Sequence, residues 1–516
     1  MQAKIFRIIL CIVLIANAAV NIYAQKDKKI YFRAQLLEYD EMIDPDIEHY
    51  TGDVIFRHQK TIGYCDKADH NRSTNCMEAY GDPIIIVIND SVKLYGKYVI
   101  YDGNSRTVSI HNNVILKDKS ATLYTDSLFY DLDKEIAYYV QGGKMVSDGN
   151  KLTSEIGQYH TKTNMAYLYD NAKLTNESYQ ADCEKAAFNT SNETVYFLSR
   201  THLITEESEI FTDRGWYDTK HDITNIAGNA ELYNKEQSLT GDSLYYDNLR
   251  KFGRGWKNVR LVDSVKNYIL QGDYIEFVEK EYADVTDSSL LTLINDGDSL
   301  FLHADTLHIL FDSTSNPTKM YAFNHVKFFQ KDLQGACDSM TYFVEDSLIT
   351  MYFSPVVWSG ENQLTADSIV FRIIDSLNME LELRHSAFVA SPLFKETEFN
   401  QVKGLRIIGK IHDQKLTRVD VIGNAECLYY ILEEDSSLIG INSAITSEMT
   451  LIFDQNEIST ITFYNNPDGK LYPDKELAKE DRLLKDFKWL NTYRPNEVMD
   501  IFTNPVLRET PNEETP

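Results

Sequence analysis

Eleven prolines in 516 residues, set against 33 tyrosines and a 43% apolar composition, exclude a disordered chain, because disorder goes with few aromatics and low hydrophobicity. Bases are scarce as well: 51 stand against 78 acids, a formal charge of −27. A protein that tracks phosphates needs a basic stripe. None appears, so no nucleic-acid partner is expected. Apolar runs are short. Beyond the first residues none reaches the roughly 20 residues that a membrane-spanning helix needs. Familiar catalytic and binding motifs are missing too: HExxH, GxSxG, Walker A, GxGxxG and the EF-hand loop do not occur, which removes the usual handles on enzyme chemistry. No catalytic residue, cofactor or metal site is expected. Close acid pairs such as Asp44 with Asp46 or Asp296 with Asp298 could serve a glycosidase, but solvated turn residues are the simpler reading. His58, His111, His160, His202 and His303 share no spacing that would gather a metal ion.

The first apolar run does have a meaning. Lys4 and Arg7 precede Ile8 to Val20, and Asn21, Ile22, Tyr23 and Ala24 follow, the layout of a secretory signal peptide. Residues 1–24 are expected to be removed after Ala24, with an uncleaved inner-membrane anchor as the alternative. The remainder carries 49 bases against 78 acids, which opposes adhesion to an anionic membrane surface. Of six cysteines, Cys11 leaves with the leader and lacks the position of a lipoprotein cysteine. No CxxC occurs among Cys65, Cys76, Cys183, Cys337 and Cys427, so zinc and thioredoxin-like chemistry lose their signature. A Cys65–Cys76 bridge suits an oxidising compartment; buried small side chains are the competing reading.

A repeat runs through most of the chain. ATLYTDSLFYD (121–131) recurs as LTGDSLYYD ending at Asp247, LHADTLHILFD ending at Asp312, GACDSMTYF ending at Phe343 and LTADSIVF ending at Phe371. The central acid or its equivalent falls at Gln35, Asp66, Gly96, Asp126, Ser154, Asp182, Asp213, Asp242, Asp273, Asp305, Asp338 and Asp367. Steps are 28 to 33 residues. Beyond Asp367 the period loosens, with continuations near Gly404 and Ser443. A second motif precedes the first: Gly52-Asp-Val-Ile-Phe, Asn113-Val-Ile-Leu, Gly228-Asn-Ala-Glu-Leu, Asn258-Val-Arg-Leu, Asn324-His-Val-Lys-Phe and Gly423-Asn-Ala-Glu-Cys. Its Gly and Asn suit a tight turn, and the alternation that follows is that of a half-buried strand. The recurring aspartates are assigned to turns, each side-chain oxygen accepting a nearby backbone N–H. Stacked calcium would demand several converging oxygens, and the repeat supplies about one acid per unit.

Helical spacing at i, i+3, i+4 and i+7 is absent through 30–465, so the fold class is all-β. Each unit of about 30 residues is expected to hold three short strands. Such strands cannot bury their faces alone, so neighbours must stack into an elongated repeat. Apolar residues two and four places after the acid should line its interior, joined by those of the second motif. The candidates are Val54, Phe56, Val114, Leu116, Leu128, Tyr130, Leu244, Tyr246, Ile275, Phe277, Leu307, Ile309, Met340, Tyr342, Ile369 and Phe371. Around Asp182 the pair is Glu184 and Ala186, and around Asp213 it is Gly215 and Tyr217, so the stripe is expected to break there. The domain reading is a leader (1–24), a regular repeat (25–370), a more irregular repeat (371–472) and a C-terminal part (473–516). In the last, Pro473 and Asp474 can start a helix, with Leu483, Leu484, Phe487 and Leu490 at helical spacing. That helix is expected to cap the last strand or dock a partner. The tail from Arg508 is polar and expected to be disordered.

These units, GDVIF or NVIL followed by LxxDSLxYD, resemble the OstA-like (organic solvent tolerance) family, as do the opening FRAQLLEYD, GDVIFRHQKTIGYCDKA and MEAYGDPIIIV and the closing LKDFKWLNTYRP. Periplasmic members of that family carry lipopolysaccharide from the inner to the outer membrane. The resemblance implies an incomplete β-jellyroll, a folded sheet open along one side. It also implies a periplasmic, non-enzymatic lipid carrier, with lipopolysaccharide or its lipid moiety as ligand. Other transport components, or further copies of the chain, would join at the open sheet ends. Ten-residue alternating segments with aromatic girdles, which mark a membrane barrel, are not evident after residue 400. A secreted adhesive β-solenoid and a carbohydrate-active enzyme are the rival readings.

Overall fold

In a computed structural model the described residues are 29–503, apart from 207, 296, 376, 395, 414, 434–436 and 455–456. The expected leader, Asp296 and the tail from Arg508 lie outside the described residues. The chain divides after Ala230 into two compact units. Both are built of antiparallel strands; the long ones pair with their neighbours in sequence, and where a strand is interrupted at a corner its two halves pair separately, as Gly143–Ser147 and Ile136–Tyr139 both do with Thr122–Asp131. In the first unit these include Ile47–His58, Thr61–Asn71, Cys76–Ile88, Val92–Asp102, Thr107–Lys117 and Thr122–Asp131.

The three short strands expected per repeat are in fact two long ones, each bent at a corner. The reason lies in the register. His111 pairs with Ser127 and Val114 with Thr125, so Asn112 and Asn113 bulge opposite the single residue Asp126. Both asparagines are left-handed, at φ +71° and +56°, a conformation that asparagine tolerates better than most residues. A bulge bends and twists a strand while the ladder continues on either side. Gly52 and Asp53 do the same opposite Asp66, Asp170 and Asn171 opposite Glu184, Lys257 and Asn258 opposite Asp273, Asp287 and Ser288 opposite Asp305, and Asn324 and His325 opposite Asp338. The two sequence motifs are therefore the two sides of one corner. Each unit becomes a sheet folded along its length into two walls, the jellyroll-like architecture that the resemblance implied.

The acids do accept hydrogen bonds at these corners, from the neighbouring strand. Asp126 Oδ1 accepts the Asn113 N–H at 3.4 Å, Asp273 Oδ1 that of Asn258 at 3.3 Å, and Asp213 Oδ2 the Asn229 amide at 2.8 Å. One assignment needs correction: the corner acid after Asp170 and Asn171 is Glu184, not Asp182. The inward pair of that strand is therefore Ala186 and Phe188, both fully buried, and the stripe does not break there. In the late repeats the corner residues are Leu405 and Ser447. Their strands run to 15–18 residues (Asn378–Leu393, Glu398–His412, Lys415–Leu432, Leu438–Asp454), so longer strands loosen the period.

Two further expectations change. Cys76 pairs with Asn71, six residues along the strand from Cys65, about 20 Å at strand rise. A disulfide needs its Cα atoms within about 7 Å, so Cys65 and Cys76 do not bridge. The segment after Pro473 is not the expected helix: it holds short 3-10 turns at Lys479–Arg482 and Asn491–Tyr493, and the short C-terminal α-helix lies at Asp500–Thr503. Leu483 is 47% exposed, while Leu477 and Leu484 pack near Tyr430, and Leu490 and Tyr493 on Trp358. Rather than capping one strand, this strap crosses the outer face of one wall of the second unit. Buried glutamines hold it there. Gln401 donates to the Arg482 carbonyl at 2.8 Å and accepts the Leu484 N–H at 2.8 Å. Gln363 repeats the pattern with the Lys488 carbonyl at 2.7 Å and the Leu490 N–H at 2.6 Å.

Candidate functional site: the inner face of the folded sheet

In the first unit one wall carries Val54, Phe56, Val114 and Leu116, the other Leu128 and Tyr130. Register links each to its neighbours. Phe56, Ile86, Leu94, Leu116 and Leu123 lie in one row, with Gly63 beneath the Phe56 ring. Leu128, Ile110, Val99, Ala79 and Ala68 form a second row, and Tyr130, Val108, Tyr101 and Met77 a third. All six candidates are no more than 1% exposed. The walls meet: the rings of Phe56 and Tyr101 are 5.8 Å apart, and His58 Nδ1 lies 2.7 Å from the Tyr101 hydroxyl. Burial pushes the Tyr130 hydroxyl pKa up to about 12, as expected where water is excluded.

The second unit continues the pattern with a looser fit. Leu244, Gly255, Ile275, Val285, Leu307, Ala322, Met340, Met351 and Ile369 form one row, and Tyr246, Gly253, Phe277, Ala283, Ile309, Met320, Tyr342, Ile349 and Phe371 another. Leu307 and Ile369 are fully buried, but Tyr246, Phe277 and Tyr342 are only half-buried. Those three lie nearer the free ends of the strands, so the inner face opens toward its lip.

Sequence reading missed most positions of the first unit's rows and four of the nine in each row of the second. Tyr101, Val99 and Leu94 come from the strands between motifs, whose only signal is two-residue alternation. Gly63 was also missed: a Cβ there would sit 2.0 Å from the Phe56 ring, so glycine makes room for the aromatic.

The lips of the first unit are tied together. The Tyr159 hydroxyl donates to Asp118 Oδ2 at 2.5 Å, and Ser120 Oγ lies 2.8 Å from Thr190 Oγ1. Asn89 Nδ2 donates to Glu135 Oε1 at 2.9 Å, and Arg106 to the Gln59 side-chain oxygen. Each contact joins a turn on one wall to the other wall 41 to 70 residues away in sequence. Glu193 faces Asp148 across the same gap, and its carboxyl pKa is raised by burial first and by Asp148 second. Chemically the inner face offers mainly apolar side chains, with a few hydroxyls and the His58 imidazole. Among the described residues no group of three or more His, Cys, Asp or Glu could hold a metal ion, and no helix is long and apolar enough to cross a membrane.

Residues 26–184 match the family model described as OstA-like protein. No curated protein matches the chain. Among solved structures, LptH from Pseudomonas aeruginosa, described as the LptA homologous periplasmic component of the conserved lipopolysaccharide transport device, matches at 18% identity over 22% of this chain and 83% of that one, with a TM-score of 0.20.

Proposed function

We propose, from the premise that residues 26–184 are OstA-like, that this chain is a non-enzymatic periplasmic bridge carrying lipopolysaccharide toward the outer membrane by its acyl chains. The observation that carries the reading is the register: apolar side chains from successive strands stand in unbroken rows within each unit. Acyl chains gain about 0.8 kcal/mol per buried CH2. Rows of similar greasiness let a lipid advance with little net change per step, so direction must come from loading elsewhere. The charged headgroup stays in water, outside the rows. In the first unit the tightly packed rows would have to part to admit a chain, and the half-buried Tyr246, Phe277 and Tyr342 mark where the second unit is already more open.

End strands supply the contacts for other transport components or for another copy. Among the described residues Leu36–Glu38 pairs on one side with Ile47–His58, and Leu36 and Leu37 are half exposed. An unpaired strand edge invites a further strand.

The test is in-cell photocrosslinking from Leu128, Leu244 and Ile369, each replaced singly by a photoreactive residue, with exposed Lys93 as control. Lipopolysaccharide adducts at the three inner positions and not at Lys93 are the expected result. Clean protein at all three would reduce the rows to a packed core and overturn the reading.

A further inference from the structure

The segment Leu249 to Arg260, LRKFGRGWKNVR, holds five bases and no acid in a chain of net charge −27. It is too short to register as a basic stripe. It forms the turn after Asp247 and most of the strand Phe252–Asp263. Before the bulge at Lys257 and Asn258 the inward positions of that strand are Gly253 and Gly255, where a Cβ would strike the Phe277 ring at 2.2 Å and Val259 at 2.7 Å. Neighbouring side chains fill the interior in their place. The strand's own large side chains, Phe252, Arg254 and Trp256, all stand on the outer face, opposite the inner rows.

There they join an aromatic platform. In the register Tyr245 flanks Arg254, and Tyr274 flanks Trp256. Arg254 lies over the Phe252 ring at 4.7 Å, and its Nε donates to Glu276 at 2.7 Å. Glu276 also accepts from the Tyr274 and Tyr282 hydroxyls, so the guanidinium is held in place from one edge. Trp256 remains 37% exposed. Two shallow depressions meet at it: one is lined by Tyr245, Arg250, Phe252 and Arg254, the other by Lys257, Asn258, Asp273, Tyr274 and Asp287.

We propose that this outer face binds an oligosaccharide that carries anionic groups. The chemistry selects the ligand. Flat aromatic rings suit the C–H face of a pyranose, with the hydrophobic area and ring quadrupole that aromatics offer. Arg250 and Arg254 present guanidinium forks for a carboxylate or phosphate. In the second depression Asp273, Asp287 and Asn258 are hydrogen-bond partners for sugar hydroxyls. The site stands on the outer face of a wall whose inner face carries the rows, and it does not depend on the lipid reading.

The experiment is calorimetric titration of the full-length protein with trigalacturonate, neutral maltotriose and inorganic phosphate. Trigalacturonate is expected to bind more tightly than maltotriose. Trp256→Ala should weaken binding by about tenfold or more, the loss of roughly one well-placed ring contact. Arg250→Ala, at a side chain 80% exposed, should erase the preference for the charged sugar while leaving the melting temperature unchanged. Equal affinity for both trisaccharides, wild-type binding by both variants, no binding of either sugar, or phosphate matching trigalacturonate would each overturn the proposal.

Discussion

The buried Tyr159 hydroxyl reaches across the lips of the first unit to the Asp118 carboxylate, 41 residues earlier in the chain. Tyr159 stands near the end of Ile156–His160 on one wall, and Asp118 in the turn between Thr107–Lys117 and Thr122–Asp131 on the other. Burial raises the phenol pKa, and the bond to Asp118 raises it further, so the group stays a neutral donor at any physiological pH.

Tyr159→Phe should therefore loosen the lips without creating a cavity. A hydrogen bond to a charged acceptor contributes about 1.5–3 kcal/mol, and a loss near 2 kcal/mol is expected in urea unfolding of the first unit. A double-mutant cycle with Asp118→Asn should show coupling. Additive effects would mean that the contact adds nothing to stability.

The Ser120 and Thr190 side chains touch across the same gap at 2.8 Å, so Ser120→Cys with Thr190→Cys should form a clasp under oxidising conditions. If lipid enters by parting the walls, the oxidised clasp abolishes lipopolysaccharide adducts at Leu128, and a reductant restores them. Adducts that persist under the oxidised clasp would show that entry does not pass between these lips.

Glu193 carries a sign that can be checked. Its folded pKa is raised by burial and by Asp148, with Asp218 adding to the rise and Lys220 opposing it. The folded state therefore holds this proton to higher pH than the unfolded chain, and stability falls as pH rises through the window above the ordinary glutamate value. Glu193→Gln should be more stable than wild type at neutral pH, with the advantage fading as pH falls through that window and gone below about 4.5. Melting temperatures of the two proteins across that range test it; a constant difference would count against the repulsion.

Gln363 satisfies two strap groups at once, the Lys488 carbonyl and the Leu490 N–H, and is itself buried. Gln363→Ala leaves both unpaired against the wall, at about 1–3 kcal/mol for a buried unsatisfied group. Limited proteolysis should then cut within 473–503 faster than in wild type, exposing Trp358 to fluorescence quenchers. An unchanged cleavage rate would mean that the Gln401 bonds and the apolar contacts of Phe487 and Leu490 hold the strap without Gln363.

The residues themselves determined the all-β class, the repeat and the identity of the inward side chains, because two-residue alternation is a local consequence of strand geometry. Leu128 and Tyr130 had to share a face whatever the strand paired with. The bend at Asn112 and Asn113 was half legible: turn-forming residues stood in the sequence, but only pairing with Asp126 shows that they form a bulge inside one strand and not a turn between two. Misplacing the corner at Asp182 had the same cause, since Glu184 is identified only by what it faces. The strap was hidden further. Leu484, Phe487 and Leu490 fit a helix as well as an extended ribbon, and what decided between them was the row of glutamines at 363 and 401, more than 80 residues away, offering backbone partners that a helix would have kept for itself. Lip contacts such as Tyr159 with Asp118 leave no pattern in the chain, because the distance across a folded sheet is set by how the corners stack.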